Sequence, residues 1–565
     1  MLTSGVALIV LVGWSSIAIA QWTPLAHAFP SGFASTCLLL TDGTVMCHEY
    51  NTNRWHRLKP DINGSYQNGS WDVPGFTVAD MPNANDPTIG CVNCPYQPLY
   101  FASAVLPDGR VVVIGGEYNN LVPLWTNIGF MYDPVTNMWS EQITVPGTWC
   151  CAGGAGTGAI GDAQSTILTN GTMLLANIVN TDIASFDPAT VTFTALGFAA
   201  GKDDPNDEEG WHQLPNGTFL TVDSRIPTSF EIYDSATNSW EPRGSTVVNL
   251  ADTGTGTVGS DEVGPGVLRP DGTLIAFSGT NSGQNAFYNT ATGIWAATGG
   301  SGDFPVGPGT SHYAVADGPA SLLPNGNVLV MASPVYPTNP PGVFNPPSHF
   351  FEFDGTNLTQ VADSPNAASF ISFQGRMLLL PSGEVLLTAY NQGGDQLLRS
   401  NARKNSPIKT TGVPHQDVAD VVLYSNGGAP QDAWRPVITT APSTVTRGNT
   451  YSASGTLFNG FSEGAFYGDD AQMSTNYPLV RITNHATGHV FYARTHNHSR
   501  MGVEAVGSGE IVTTQFDVPA SVELGASDLV VVVNGIPSSA ANTVVGAPTR
   551  PTPTPRPRPT PTTRP

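Results

Sequence analysis

The chain has 565 residues, enough for a large repeat domain and one more besides. Its formal net charge is −22, with 22 basic against 44 acidic residues, which excludes nucleic acid and anionic membrane surfaces as partners because both would repel it. Abundant glycine (61) and proline (47) with few charged residues point to a turn-rich, all-β protein.

Residues 6–20, VALIVLVGWSSIAIA, form an apolar run too short for a membrane span. The run ends on the small-residue pattern Ala18, Ile19, Ala20, so a secretory signal over 1–20 is expected, although the first five residues carry no Lys or Arg. A secreted chain with six cysteines is expected to form disulfides. Cys37 and Cys47 flank one hairpin turn and can face each other across it; Cys91 and Cys94 form CVNC; Cys150 and Cys151 are adjacent. No second CxxC follows and no His follows Cys94, so structural bridging is expected rather than zinc or redox chemistry, with the connectivity left open.

From residue 21 onward the chain repeats itself. YDPVTNMW (132–139) returns as YDSATNSW (233–240) and YNTATGIW (288–295), with a weaker copy FDPATVTF at 186–193. An apolar run, a Pro-Asp-Gly-like turn and a β-branched run precede each copy, as in LPDGRVVVIGG (106–116). The turn glycine recurs at Gly43, Gly109, Gly171, Gly217, Gly272, Gly326 and Gly383. A period of roughly 45–65 residues built from hairpins means propeller blades. Asn-Gly or Asp-Gly between apolar runs makes a tight hairpin because Gly accepts φ > 0. The Tyr and Trp of each motif offer large apolar faces to pack between sheets. Seven sheets around an axis cover each other's faces, which an open β-sandwich array does not achieve. Residues 21–433 are therefore expected to form a seven-bladed, kelch-type β-propeller. The loop 61–96, rich in Asn, Gly and Pro, is long enough to carry a function.

From about Trp434 the repeats stop, and WRPVITTAPSTVTRGNTYSASG begins an alternating pattern that ends at VVVVNGIPSS. Residues 434–548 are expected to form an immunoglobulin-like β-sandwich. Residues 549–565, rich in Pro, Thr and Arg, are expected to be extended and solvated, serving as a stalk, a spacer or a surface tether.

A propeller followed by such a sandwich, with RPVIT, YSASG and DLVVVVNGIPS in the second part, resembles the galactose oxidase and glyoxal oxidase family up to about Pro548. The resemblance implies an early-set C-terminal domain. It also implies one copper held by two tyrosines and two histidines near the axis, with a cysteine linked to one tyrosine, oxidising alcohols or aldehydes and producing H2O2. Counted from the turn glycines, Tyr100 keeps the place of the linked tyrosine, Ala34 falls where the cysteine should be, and Phe373 and Gln374 stand where the family has Tyr-His. The matching stretch of the second domain, 467–482, has no histidine. Phe offers no phenolate and an amide is a weak Cu(II) ligand, so the scaffold is expected without copper and without oxidase activity.

Nine residues before each turn glycine the chain has Ala34, Tyr100, Asp162, Glu208, Glu262 (one residue further back), Asp317 and Gln374. Four successive blades thus place a carboxylate where the chain enters the innermost strand, and in a propeller these positions converge on the axis. Such a ring raises pKa values or recruits a cation, and oxygen ligands suit Ca2+, Mg2+ or Mn2+. Asp204, Asp207, Glu209 and Asp261 add further acid. Acid/base work on a sugar beside Tyr100 and His212 is an alternative use of the ring. His496 and His498, two apart near His485 and His489, would share a face on a strand and could pair on a metal, although an exposed polar hairpin is the plainer expectation. Three readings follow: a secreted, monomeric binding scaffold for carbohydrate or a cell-surface partner; a copper-radical oxidase; or a metal-assisted or acid/base enzyme of carbohydrates.

Overall fold

The computed structural model describes residues 21–88, 90–123, 125–145, 149, 159–162, 164–198, 200–251, 262–308, 311–336, 343–344, 346–391, 417–468 and 473–547. The expected signal (1–20) and tail (549–565), together with Cys150, Cys151 and Asp261, lie outside the described residues.

Seven antiparallel sheets follow one another along the chain. They occupy 34–71, 102–139, 165–198, 212–245, 266–297, 319–360 and 375–425, and form a seven-bladed β-propeller. The seventh blade is completed from the other end of the chain: Gln21–Pro24 pairs antiparallel with Val418–Ser425, Gln21 opposite Ser425. That pairing ties the first residues of the propeller to its last blade and covers the outer edge of Val418–Ser425, so that Gln21–Pro24 becomes the outermost strand. Trp22, on this closing strand, packs edge-on against Phe350 and tilts over Tyr424 at 4.9 Å.

The seven turn glycines all have positive φ, between 76° and 87°, as a tight hairpin between the two inner strands requires. The strands that follow the turns include wholly apolar, fully buried ones, such as Val111–Ile114 and Met173–Ala176. The repeated aromatic motif does more within a blade than its sequence suggests. Tyr132 lies directly opposite Trp139 across the two outer strands, Tyr233 opposite Trp240 and Tyr288 opposite Trp295, with ring centroids 5.1, 5.2 and 5.5 Å apart. Phe186 and Phe193 repeat this at 4.8 Å. Each of these four blades carries its own cross-strand aromatic clasp; packing between sheets is added by contacts such as Phe230 on Trp295.

Two disulfides are present among the described residues. Cys37–Cys47 bridges a directly opposed pair of the first hairpin, with Cα atoms 4.1 Å apart. Cys91 and Cys94 bond to each other in the loop before the second blade.

Nine described strands between Val437 and Gly546 form a β-sandwich around Val445, Phe458, Ile482, Phe516 and Val531. It sits against the hairpin-turn face of the propeller. The Thr495 amide donates to the Thr41 carbonyl (3.0 Å) and the Val490 amide to that of Ile62 (2.8 Å). A β-carbon on Gly43 would fall 2.4 Å from the Tyr492 ring, so this turn needs glycine both for its φ and for the sandwich's approach. One strand of this region leaves the sandwich altogether. Ala465–Tyr467 pairs antiparallel with Pro319–Leu322, the innermost strand of blade 6, placing Tyr467 opposite Pro319. A finger of the second domain therefore enters the propeller core.

Candidate functional site: an acidic group on the propeller axis

The chain-counting rule leaves a backbone signature. Tyr100, Asp162, Glu208 and Asp317, each nine residues before a turn glycine, all adopt left-handed conformations, with φ of 51°, 46°, 59° and 45°. Such backbone costs a non-glycine residue about 1–2 kcal/mol. Its recurrence marks one structural position, the sharp turn by which the chain passes from one blade to the innermost strand of the next. Glu262 is offset by one extra residue.

Three of the four carboxylates meet. Glu208, Glu262 and Asp317, from three successive blades, each offer an oxygen within 4.8 Å of those of the others, and all three residues are buried. Asp162, also buried, stands outside this group. The tip of the finger abuts the group: a β-carbon on Gly468 would lie 2.6 Å from Asp317 Oδ1, and one on Gly210 would lie 2.4 Å from the Gly468 carbonyl oxygen. Asp317 is held by its own amide, which donates to the Val263 carbonyl (3.1 Å). Its Oδ1 is buried without a hydrogen-bond partner among the described residues.

His212 lies beside the finger, its ring 4.3 Å from that of Phe466, and burial pushes its pKa down to about 3. It shares a small recess with Gly266, Ser462 and Glu463. Burial pushes the Glu463 carboxyl up to about 7, opposed by the hydrogen bond it accepts from the Gln213 amide (3.0 Å).

On the remaining blades the axial positions are engaged otherwise. The Arg376 guanidinium lies over two rings, 3.3 Å from the Tyr467 centroid and 5.4 Å from that of Tyr100. Arg376 also donates to the Phe373 carbonyl (2.8 Å), which accepts a second bond from the Tyr467 hydroxyl (2.8 Å). Gln374 does not present its amide oxygen to the axis: Oε1 accepts the Ile371 amide (3.0 Å), closing a short helical turn. Phe373 is half-buried against the main core.

The other acids picked out by sequence go elsewhere. Asp207 pairs with Arg225. Asp204 and Glu209 turn away from the axial group into a second acidic cluster with Asp223 and Glu231, built around Lys202. The fully buried Lys202 ammonium lies 2.7 Å from Asp204, 2.8 Å from Glu209 and 2.5 Å from Glu231. Burial works against this charge, but Glu209, Asp204, Glu231 and Asp223 outweigh it and hold Lys202 above the ordinary lysine range. Burial pushes Asp223 up to about 7 and Glu209 well above the ordinary glutamate value, with Lys202 opposing in both cases.

The histidine cluster separates in the fold. His496 pairs with Asp517 (3.2 Å), whereas His498 is buried against Thr514 (2.9 Å). The strand ends at His496, and Asn497 takes φ of 52°, so the alternation that would set both rings on one face is broken between them. His485 and His489 pair separately with Asp528 and Glu523.

No protein family's sequence pattern matches the chain, and no curated protein matches it. Solved structures do. A fungal alcohol oxidase of the AA5 family, in complex with copper, is 13% identical over 93% of this chain and 99% of that one, with a TM-score of 0.45. The extracellular domain of a one-component system from B. thetaiotaomicron is 10% identical over 94% of this chain and 58% of its own, with a TM-score of 0.40. A streptogramin B lyase is 11% identical over 65% of this chain and 93% of its own, with a TM-score of 0.39.

Sequence reasoning missed Lys202, Asp223 and Glu231. One signal was present: the chain's lysines are Lys59, Lys202, Lys404 and Lys409, and only Lys202 opens an acidic run, KDDPNDEE. Asp223 follows the end of the strand Phe219–Val222 and Glu231 lies on the next strand, Ser229–Asp234; neither carries a local pattern.

Proposed function

We propose that the protein is a secreted binding scaffold that takes a carbohydrate or a glycosylated cell-surface partner on the propeller axis, without copper-radical chemistry. One observation carries this reading: Glu208, Glu262 and Asp317, far apart in sequence, bring carboxylate oxygens within 4.8 Å of one another beside the finger tip. Polar groups converging at the centre of a propeller are what a small polyhydroxylated ligand needs for orientation. The residues at the positions counted for copper do not fit that metal. Phe373 has no donor atom, Gln374 Oε1 is engaged by Ile371, and a guanidinium lies over the Tyr100 ring. The two disulfides agree with an oxidising, extracellular setting.

The test is a glycan array probed with the purified protein and with Glu262→Gln, run beside an assay for H2O2 from primary alcohols and aldehydes after incubation with copper. The reading expects glycan binding that the substitution weakens, and no peroxide. Peroxide production by the copper-treated protein overturns it in favour of an oxidase. Turnover of a bound glycan overturns it in favour of acid/base or metal-assisted catalysis.

A further inference from the structure

We propose that Glu208, Glu262 and Asp317 hold one hard divalent cation, of the Ca2+ or Mn2+ class, on the propeller axis, and that this cation presents the ligand. The inference rests on the reading of the axis as the binding site.

The chemistry of the donors selects the ion. Three carboxylates from three blades give an oxygen-only set, which favours Ca2+, Mg2+ or Mn2+ over copper or zinc. Mg2+ keeps most of its water and demands small, regular octahedra, so a site assembled from three separate blades suits the larger and more tolerant ions. Their mutual repulsion is strong in a buried site unless a positive charge or a proton lies among them.

The second acidic cluster of the same molecule shows the same repulsion offset by a side chain. There Asp204, Glu209 and Glu231 surround the Lys202 ammonium, so that nest carries its own resident cation. In the axial group, Asp317 is 2% exposed and its Oδ1 has no hydrogen-bond partner among the described residues. A buried carboxylate oxygen without a donor costs free energy unless a cation or an ordered ligand satisfies it. The left-handed backbone at Glu208 and Asp317 is not part of this case, because Tyr100 and Asp162 share it on other blades.

Three carboxylates leave a Ca2+ or Mn2+ ion short of its usual six to eight ligands (about six for Mn2+). Vicinal hydroxyls of a sugar can complete such a shell, which gives the scaffold a direct means of recognising carbohydrate.

The experiment uses the full chain after dialysis against chelator. Isothermal titration with CaCl2 and, separately, MnCl2 is run on the wild type, Asp317→Asn, Glu262→Gln and, as a control on the second cluster, Asp223→Asn. Elemental analysis fixes the stoichiometry. The expected result is one ion per chain for the wild type and Asp223→Asn, with affinity at least about ten-fold weaker in both axial variants. A cation-dependent rise in melting temperature should appear in the wild type and vanish in the axial variants. Two axial variants guard against one failing to fold, and circular dichroism in chelator checks each. No ion bound by the wild type, or binding lost in Asp223→Asn but kept in Asp317→Asn, overturns the proposal. Repeating the glycan array in chelator separates the two ideas. Glycan binding that survives chelation leaves the scaffold standing and sinks the cation, whereas an ion bound at the axis without any glycan binding sinks the scaffold and keeps the ion.

Discussion

Gly468 approaches Asp317 so closely that a β-carbon on the glycine would lie 2.6 Å from Asp317 Oδ1. The two residues belong to different parts of the chain, one at the tip of the sandwich's finger and the other at the start of blade 6. Their contact sets a residue from beyond the propeller against the axial group.

Gly468→Ala should therefore disturb the site more than it disturbs the fold. The glycine has φ of 32°, and an added methyl group meets both a disfavoured backbone and the carboxylate. The strain alone is about 1–2 kcal/mol, equivalent to about a ten-fold loss of affinity for an axial ligand if it is felt there. Calorimetry of ligand binding and a thermal melt on the same variant separate the two effects. A melt lowered strongly with unaltered binding would mean that the finger tip serves folding only.

Lys202→Met removes the one positive charge from a nest of four carboxylates. Removing one partner of a buried ion pair costs about 3–5 kcal/mol, because the charges left behind are neither solvated nor paired. Denaturant unfolding should show a loss in that range at neutral pH. The loss should shrink in acid, where the remaining carboxyls are protonated in both the folded and unfolded states. A loss below about 1 kcal/mol would place the nest with ordinary surface pairs.

Asp223 gives a pH dependence with a definite sign. Burial raises its pKa from 3.8 to about 7, so between those values the folded protein keeps a proton that the unfolded chain has lost. The folded state then binds more protons, and stability contributed by this group falls as pH rises towards 7. His498 acts in the opposite sense: burial lowers it from 6.5 to about 3, so its contribution is lost as pH falls below 6.5. Melting temperatures of the wild type and Asp223→Asn across pH 5 to 8 should lie closer together at pH 5, separate as the pH rises to about 7 and then run parallel, with the variant the more stable there. Parallel curves would show that Asp223 does not titrate in this window.

The repeats, the seven turn glycines and the change of pattern near Trp434 follow from local rules. A tight turn needs Gly, a buried strand needs an apolar run, and neither depends on what lies across the fold. The count back from each glycine even located Glu208, Glu262 and Asp317, because every blade repeats the same path into its inner strand. Sequence alone could not separate Asp162 from those three. Nor could it tell that Asp204 and Glu209 belong to Lys202, since neighbours in sequence such as Glu208 and Glu209 serve different clusters. The closure of blade 7 by Gln21–Pro24 and the entry of Ala465–Tyr467 beside Pro319–Leu322 join segments far apart in the chain. Each is decided by which free strand edge remains when the ring is assembled, and that edge exists only in the tertiary structure.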